Sequence, residues 1–136
     1  MRKTERKVRI IFAGFSMART EKLVGKMAGR LKMQSTSSIY LPEEYYGHDR
    51  TLCHSCFGND TDGVIKGEYF VGGTADMIYA ASDVDAVRNI SWLKTEGTVI
   101  VPKNKHGEEQ ERYAGDEIRR FLEKQEEYGF VRTLIH

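Results

Sequence analysis

The chain has 136 residues, of which 40% are hydrophobic and 30% charged. That suits a single α/β-sized domain over residues 1–136 and argues against intrinsic disorder. No apolar run approaches the roughly 20 residues that cross a bilayer, and two cysteines are too few for a disulfide scaffold. A cytoplasmic, reducing setting without membrane is therefore expected. The formal net charge of +1 conceals an uneven split. Residues 1–32 hold ten Lys/Arg against Glu5 and Glu21, a balance of +8, and the remainder holds eleven against eighteen acids, a balance of −7.

The N-terminal MRKTERKVRI is basic but leads into a strand pattern, unlike a signal peptide. Val8–Ala13 is continuously apolar apart from Arg9, as in a strand buried on both faces. Gly14-Phe15-Ser16 reads as a turn. Residues 19–32 read as a helix, with Leu23, Val24, Met27, Ala28 and Leu31 on one face. Arg19, Lys22, Lys26 and Arg30 fall on an adjoining face. Gly25 and Gly29 each cost the helix roughly 1 kcal/mol against Ala. Ser37–Leu41 is a short strand stopped by Pro42. Residues 42–63 form a long irregular loop, a length that in compact domains usually signals function or disorder. Val64–Val71 and Ala75–Ala80 read as a hairpin around Gly72-Gly73-Thr74. Ser82 caps a helix carrying Asp83 and Asp85 in its first turn; the helix runs through Leu93 and stops at Gly97. Thr98–Val101 is a strand, 108–128 a helix and Phe130–Ile135 a last strand.

The resulting order, β-α-β-loop-β-β-α-β-α-β, predicts an α/β fold: three layers, Rossmann-like or flavodoxin-like, with a mostly parallel sheet and one antiparallel hairpin strand. Within it, DMIYAASDVDAVRNISWLKTEGTVIVPKNKHGEE is similar to the second half of a two-component receiver domain. Ser82 stands where the small hydroxyl residue stands there, and Lys103 beside Pro102 where the lysine does. The first half departs from the pattern. Ala13-Gly14 replaces the acidic pair, and no phosphoacceptor aspartate stands near Val71-Gly72. The resemblance implies shared architecture without phosphotransfer to aspartate.

Several groups of residues are candidates for chemistry. Cys53-His54-Ser55-Cys56 is a CxxC, read as a piece of the irregular loop. It would suit a zinc ion, with His48, His54, Asp60 or a partner chain completing the set, a redox pair, or two unrelated cysteines. Gly58–Gly63 has the look of a calcium loop, but Gly58 and Tyr69 fall where two ligands are required; Asx turns explain its aspartates. The most general candidate is positional, because ligands in open α/β sheets bind beyond the carboxyl ends of parallel strands. Gly14, Ser16, Ser82, Asp83, Lys103 and His106 are expected there. Together they would bind a small polar or phosphorylated, nucleotide-like ligand, with Asp83 or His106 available as a base. No cofactor is specified. The alternative is a non-enzymatic interaction protein. It would use basic residues 2–32, Arg19, Lys22, Lys26 and Arg30 among them, to contact nucleic acid, an acidic protein or the acidic half of a second copy.

Overall fold

The computed structural model describes residues 7–32, 35–41, 49–58, 72–103 and 110–124. In chain order these form β1 (Lys7–Phe15), α1 (Met17–Leu31), β2 (Ser35–Tyr40), β3 (Thr51–Gly58), β4 (Ala75–Ala80), α2 (Asp83–Arg88), a 3₁₀ turn (Ile90–Trp92), β5 (Leu93–Pro102) and β6 (Gln110–Ala114). Residues 115–124 continue as a helix, α3. The strands make one six-stranded sheet in the order β2-β3-β1-β4-β5-β6. β1, β4 and β5 run parallel at its centre. The remaining pairings, β1 with β3, β2 with β3 and β5 with β6, are antiparallel. The fold is thus α/β with a mixed sheet, and antiparallel strands flank the parallel centre on both sides.

The centre is apolar on both faces, as a parallel sheet between helices requires. Ile10, Phe12, Cys53, Phe57, Tyr79 and Ile100 point to one face, where Leu23, Val24, Met27, Ala28 and Leu31 of α1 cover them. This is the helical face expected from the sequence. Ile11, Ala13, Leu52, Ile78, Ala80 and Val99 point to the other, beneath Ala86 of α2 and Ile118 of α3. No helix among the described residues is long and apolar enough to cross a membrane.

Four expectations change. First, β3 lies inside the segment read as an irregular loop. TLCHSCFG alternates faces, but its alternation is between small or polar side chains and carries little hydrophobic signal. Second, both edges of β4 are taken by β1 and β5, so β4 is a central parallel strand and not one arm of a hairpin. Its expected partner, 64–71, lies outside the described residues, as does the expected strand 130–135. Third, the helix capped by Ser82 ends at Arg88. The Asn89 side chain donates through Nδ2 to the Asp85 carbonyl at 2.9 Å, which diverts an acceptor from the helical pattern. β5 then begins at Leu93 instead of Thr98, with a register irregularity between the Leu93 and Thr98 pairings and a positive φ of 67° at Glu96. Fourth, residues 110–114 of the expected long helix form β6, because edge pairing to β5 and burial of Tyr113 outweigh helical propensity.

Leu93 locks this end of the sheet. Its side chain fills the space where a Cβ on either Gly97 or Gly115 would stand. Arg119 on α3 ties the same corner, donating to the carbonyls of Ile90, at 3.2 Å, and of Leu93. Leu93 is fully buried, so Leu93→Ala is expected to lower unfolding free energy by about 2–5 kcal/mol, measurable as a reduced urea midpoint.

Candidate functional site

β1 and β4 are adjacent and parallel, yet their following helices leave toward opposite faces of the sheet. Their carboxyl ends therefore mark the point where the two chains diverge, the position at which open α/β sheets form a ligand crevice. The first local device there is a bulge at Gly14. Ala13 pairs with Leu52 and Phe15 with Thr51, so Gly14 has no partner on β3. Its φ of 89° lies in the region that glycine adopts without penalty. The extra residue turns Phe15 onto the α1 face, with its ring centroid 5.6 Å from that of Tyr79. It also leaves the Gly14 carbonyl outside the ladder, where Arg50 Nε donates to it at 3.2 Å.

Asp85 occupies the heart of the crevice and is 1% exposed. A buried carboxylate needs compensating partners. Ser82 Oγ donates to Asp85 Oδ2 at 2.8 Å, and the Arg50 guanidinium pairs with Oδ1. Ser82 Oγ also accepts from the Asp85 amide at 3.3 Å, closing the first turn of α2. The carboxylate lies so close to Gly14 that a Cβ there would overlap it. The Arg50 side chain stays 45% exposed. It is a cation anchored by a buried acid at the mouth of the crevice.

The opposite wall is made by hydroxyls. Ser16 caps α1, its Oγ accepting from the Arg19 amide at 3.2 Å. Buried Thr20 donates to the Ser16 carbonyl at 2.8 Å and meets Thr51 Oγ1 at 2.8 Å. Thr51 Oγ1 in turn lies 3.0 Å from the Phe15 carbonyl, which accepts from it. The start of α1 is thereby tied to the start of β3.

Of the expected site residues, Gly14, Ser16 and Ser82 stand at these two strand ends. Asp83 does not share their crevice. It is exposed on α2 and lines a separate groove with Val87, Val101 and Tyr113. Lys103 stands just past β5, half-exposed and 3.4 Å from Glu111. His106 lies outside the described residues. Asp85, Arg50, Thr20 and Thr51 lie outside the ligand set that the sequence predicts, where Asp85 enters only as a complement to the helix dipole. Only the capping spacing from Ser82 to Asp85 hinted at the cluster. Lys22, Lys26 and Arg30 are exposed along α1, with Arg19 half-buried.

The CxxC is reshaped by its place in a strand. Cys53 packs on the α1 face and Cys56 on the other. That separation does not suit one ion or one disulfide shared by the pair. Burial raises the Cys53 thiol pKa, and Ser55 Oγ lies 3.3 Å from its sulfur. Tyr40, paired opposite Cys53, is pushed up to about 12, chiefly by burial. His48 and Asp60 lie outside the described residues. His54 sits on the α2 face, its ring edge-on to Trp92 with centroids 4.6 Å apart. Among the described residues no group of three or more His, Cys, Asp or Glu is placed to hold a metal. The chain matches no protein-family model and no curated protein sequence.

Gly14→Ala is expected to destabilise the fold by about 2 kcal/mol or more, through positive-φ strain together with displacement of Asp85. A shifted denaturant midpoint would register it. Burial lowers the His54 pKa from 6.5 to about 4. As pH falls below 6.5 the unfolded chain takes up this proton before the native state does. Stability is therefore full above pH 6.5 and declines toward pH 4, by about 2–3 kcal/mol at 1.36 kcal/mol per unit. The decline is expected to be absent in His54→Leu when urea midpoints at neutral and acid pH are compared with the parent.

Proposed function

We propose that this protein binds a small polar or phosphorylated, nucleotide-like ligand at the carboxyl ends of β1 and β4. The observation that carries the reading is the half-exposed Arg50 guanidinium, held over the Gly14 bulge by buried Asp85. A fixed, planar guanidinium matches the paired oxygens of phosphate or carboxylate. Preorganisation by Asp85 lowers the ordering cost of binding. Ser16 and Ser82 supply hydroxyls on the two flanking turns, suited to the sugar or polar part of such a ligand. In this reading the topology is flavodoxin-like, with antiparallel β3 inserted between β2 and β1, and the crevice is its switch point. Lys103 takes the role of a peripheral cation. Binding, without an assigned reaction, is the function proposed.

A thermal-shift series with nucleotides and sugar phosphates tests it. A ligand present at 100 times its dissociation constant adds about 2.7 kcal/mol of stability, and the melting temperature is expected to rise accordingly. Arg50→Gln keeps hydrogen-bond donors for Asp85 but removes the cation. It is expected to abolish the shift while retaining a cooperative melt. A shift that survives in Arg50→Gln would place the ligand elsewhere, and no shift with any phosphorylated or carboxylated compound would end the proposal.

A further inference from the structure

Two surfaces on opposite faces of the sheet complement one another. The first is a groove of about 330 Å³ between α2 and α3, with Val87, Val101, Tyr113 and Phe121 in its walls. Both charged residues lining it, Asp83 and Glu117, are acidic. Its apolar character continues outward. Among the described residues four large hydrophobic side chains are exposed. Two of them, Val87 and Phe121 at 59%, line the groove, and Val84 at 68% stands one helical turn before Val87 on α2. Clustering of this kind marks an interaction surface and not ordinary scatter.

The second surface is the outer side of α1. Ala18, Lys22, Gly25 and Gly29 recur at helical spacing and are all exposed, with Lys26 and Arg30 beside them. Apart from chain neighbours and the helix's own backbone, no heavy atom of the described residues lies within 4 Å of where a Cβ on Gly25 or Gly29 would sit. These glycines, costly to a helix, therefore do not serve packing against the sheet. They leave a slender helix surface flanked by the ammonium groups of Lys22 and Lys26, with one acid, Glu21, beside Lys22. Such a surface can enter an apolar groove closely while its lysines reach carboxylates at the walls.

We infer that the glycine-faced, basic side of α1 docks into the acid-walled groove between α2 and α3 of a second copy of this chain. The inference rests on the interaction reading of the basic segment and is independent of ligand binding at Arg50. Lys22, Lys26 and Arg30 on the helix face and Asp83 and Glu117 in the groove lining provide the attraction. The two patches lie on opposite faces of the sheet and cannot both meet one partner, so the contact is head-to-tail and builds a ring of more than two copies or an open chain.

Sedimentation velocity on the full chain over a range of concentrations tests this. Species larger than one chain are expected at low salt, and their loss at about 1 M salt, where the screening length is about 3 Å. Lys22→Glu/Lys26→Glu and Asp83→Lys/Glu117→Lys are each expected to sediment as single chains. Their equimolar mixture is expected to regain the larger species, because opposite charges again face each other. Gly29→Leu is expected to lose association while its melting temperature stays level or rises, which separates a blocked surface from a damaged fold. A parent that sediments as one chain throughout overturns the inference. So does association unaffected by either charge reversal, a mixture that fails to reassociate, or a single chain whose α1 lysines bind a DNA duplex instead.

Discussion

The buried Asp85 carboxylate is the constraint on which the centre of this structure depends. It lies on α2, yet its partners come from three other places: the Ser82 turn, the Arg50 approach to β3, and the bulge at Gly14 that leaves it room. A carboxylate withdrawn from water is tolerated only with such partners around it. Each of those partners is accordingly fixed by the same charge. The turn after β4 must present a hydroxyl, the chain before β3 must bring a cation, and β1 must end in a residue without a side chain. Asp85 thus ties together the ends of three neighbouring strands that the backbone ladder alone would leave free to splay.

The sheet around it combines two construction rules. β1, β4 and β5 form a parallel centre that needs helices on both faces, and α1 on one side with α2 and α3 on the other provide them. β3 and β6 run the opposite way and extend that centre outward. The antiparallel placement of β3 brings its first residues, not its last, to the carboxyl end of the parallel centre. That is how Arg50 and Thr51 reach the crevice. In a wholly parallel sheet the same edge would have offered the end of a strand and the start of a helix.

Parts of this were legible in the residues. The apolar run of β1, the five-residue buried face of α1 and the cap at Ser82 are local signals, and each describes an element that depends mostly on its own sequence. β3 was hidden because its inward side chains include Cys53, His54 and Ser55, which resemble loop composition. β6 was hidden because QERYA joined to GDEIRRFLEK continues a helical pattern, and only pairing with β5 decides otherwise. The residue pattern located the carboxyl end of the parallel centre. Its charged members stayed out of view, because Arg50 and Asp85 are 35 residues apart and nothing local relates them. Cys53 and Cys56 illustrate the converse: of the readings open to a CxxC, two unrelated cysteines is the one an extended backbone favours, because it sends the two side chains to opposite faces.

The position of β1 has a consequence for synthesis on the ribosome. It precedes both of its neighbours in the chain, β3 at Thr51–Gly58 and β4 at Ala75–Ala80. Until those segments follow, Ile10, Ile11, Phe12 and Ala13, all fully buried in the finished sheet, have no ladder to join on either side. The nascent chain carries this apolar strand unpaired until Gly58 is made and paired on one side only until Ala80 follows, with the adjacent α1 able to shield one face. Strands of such distant pairing form late and are the segments most open to capture by chaperones or by other chains. The lysines and arginines surrounding β1 in the sequence then have a second use, as charges that keep an exposed strand apart from others of its kind.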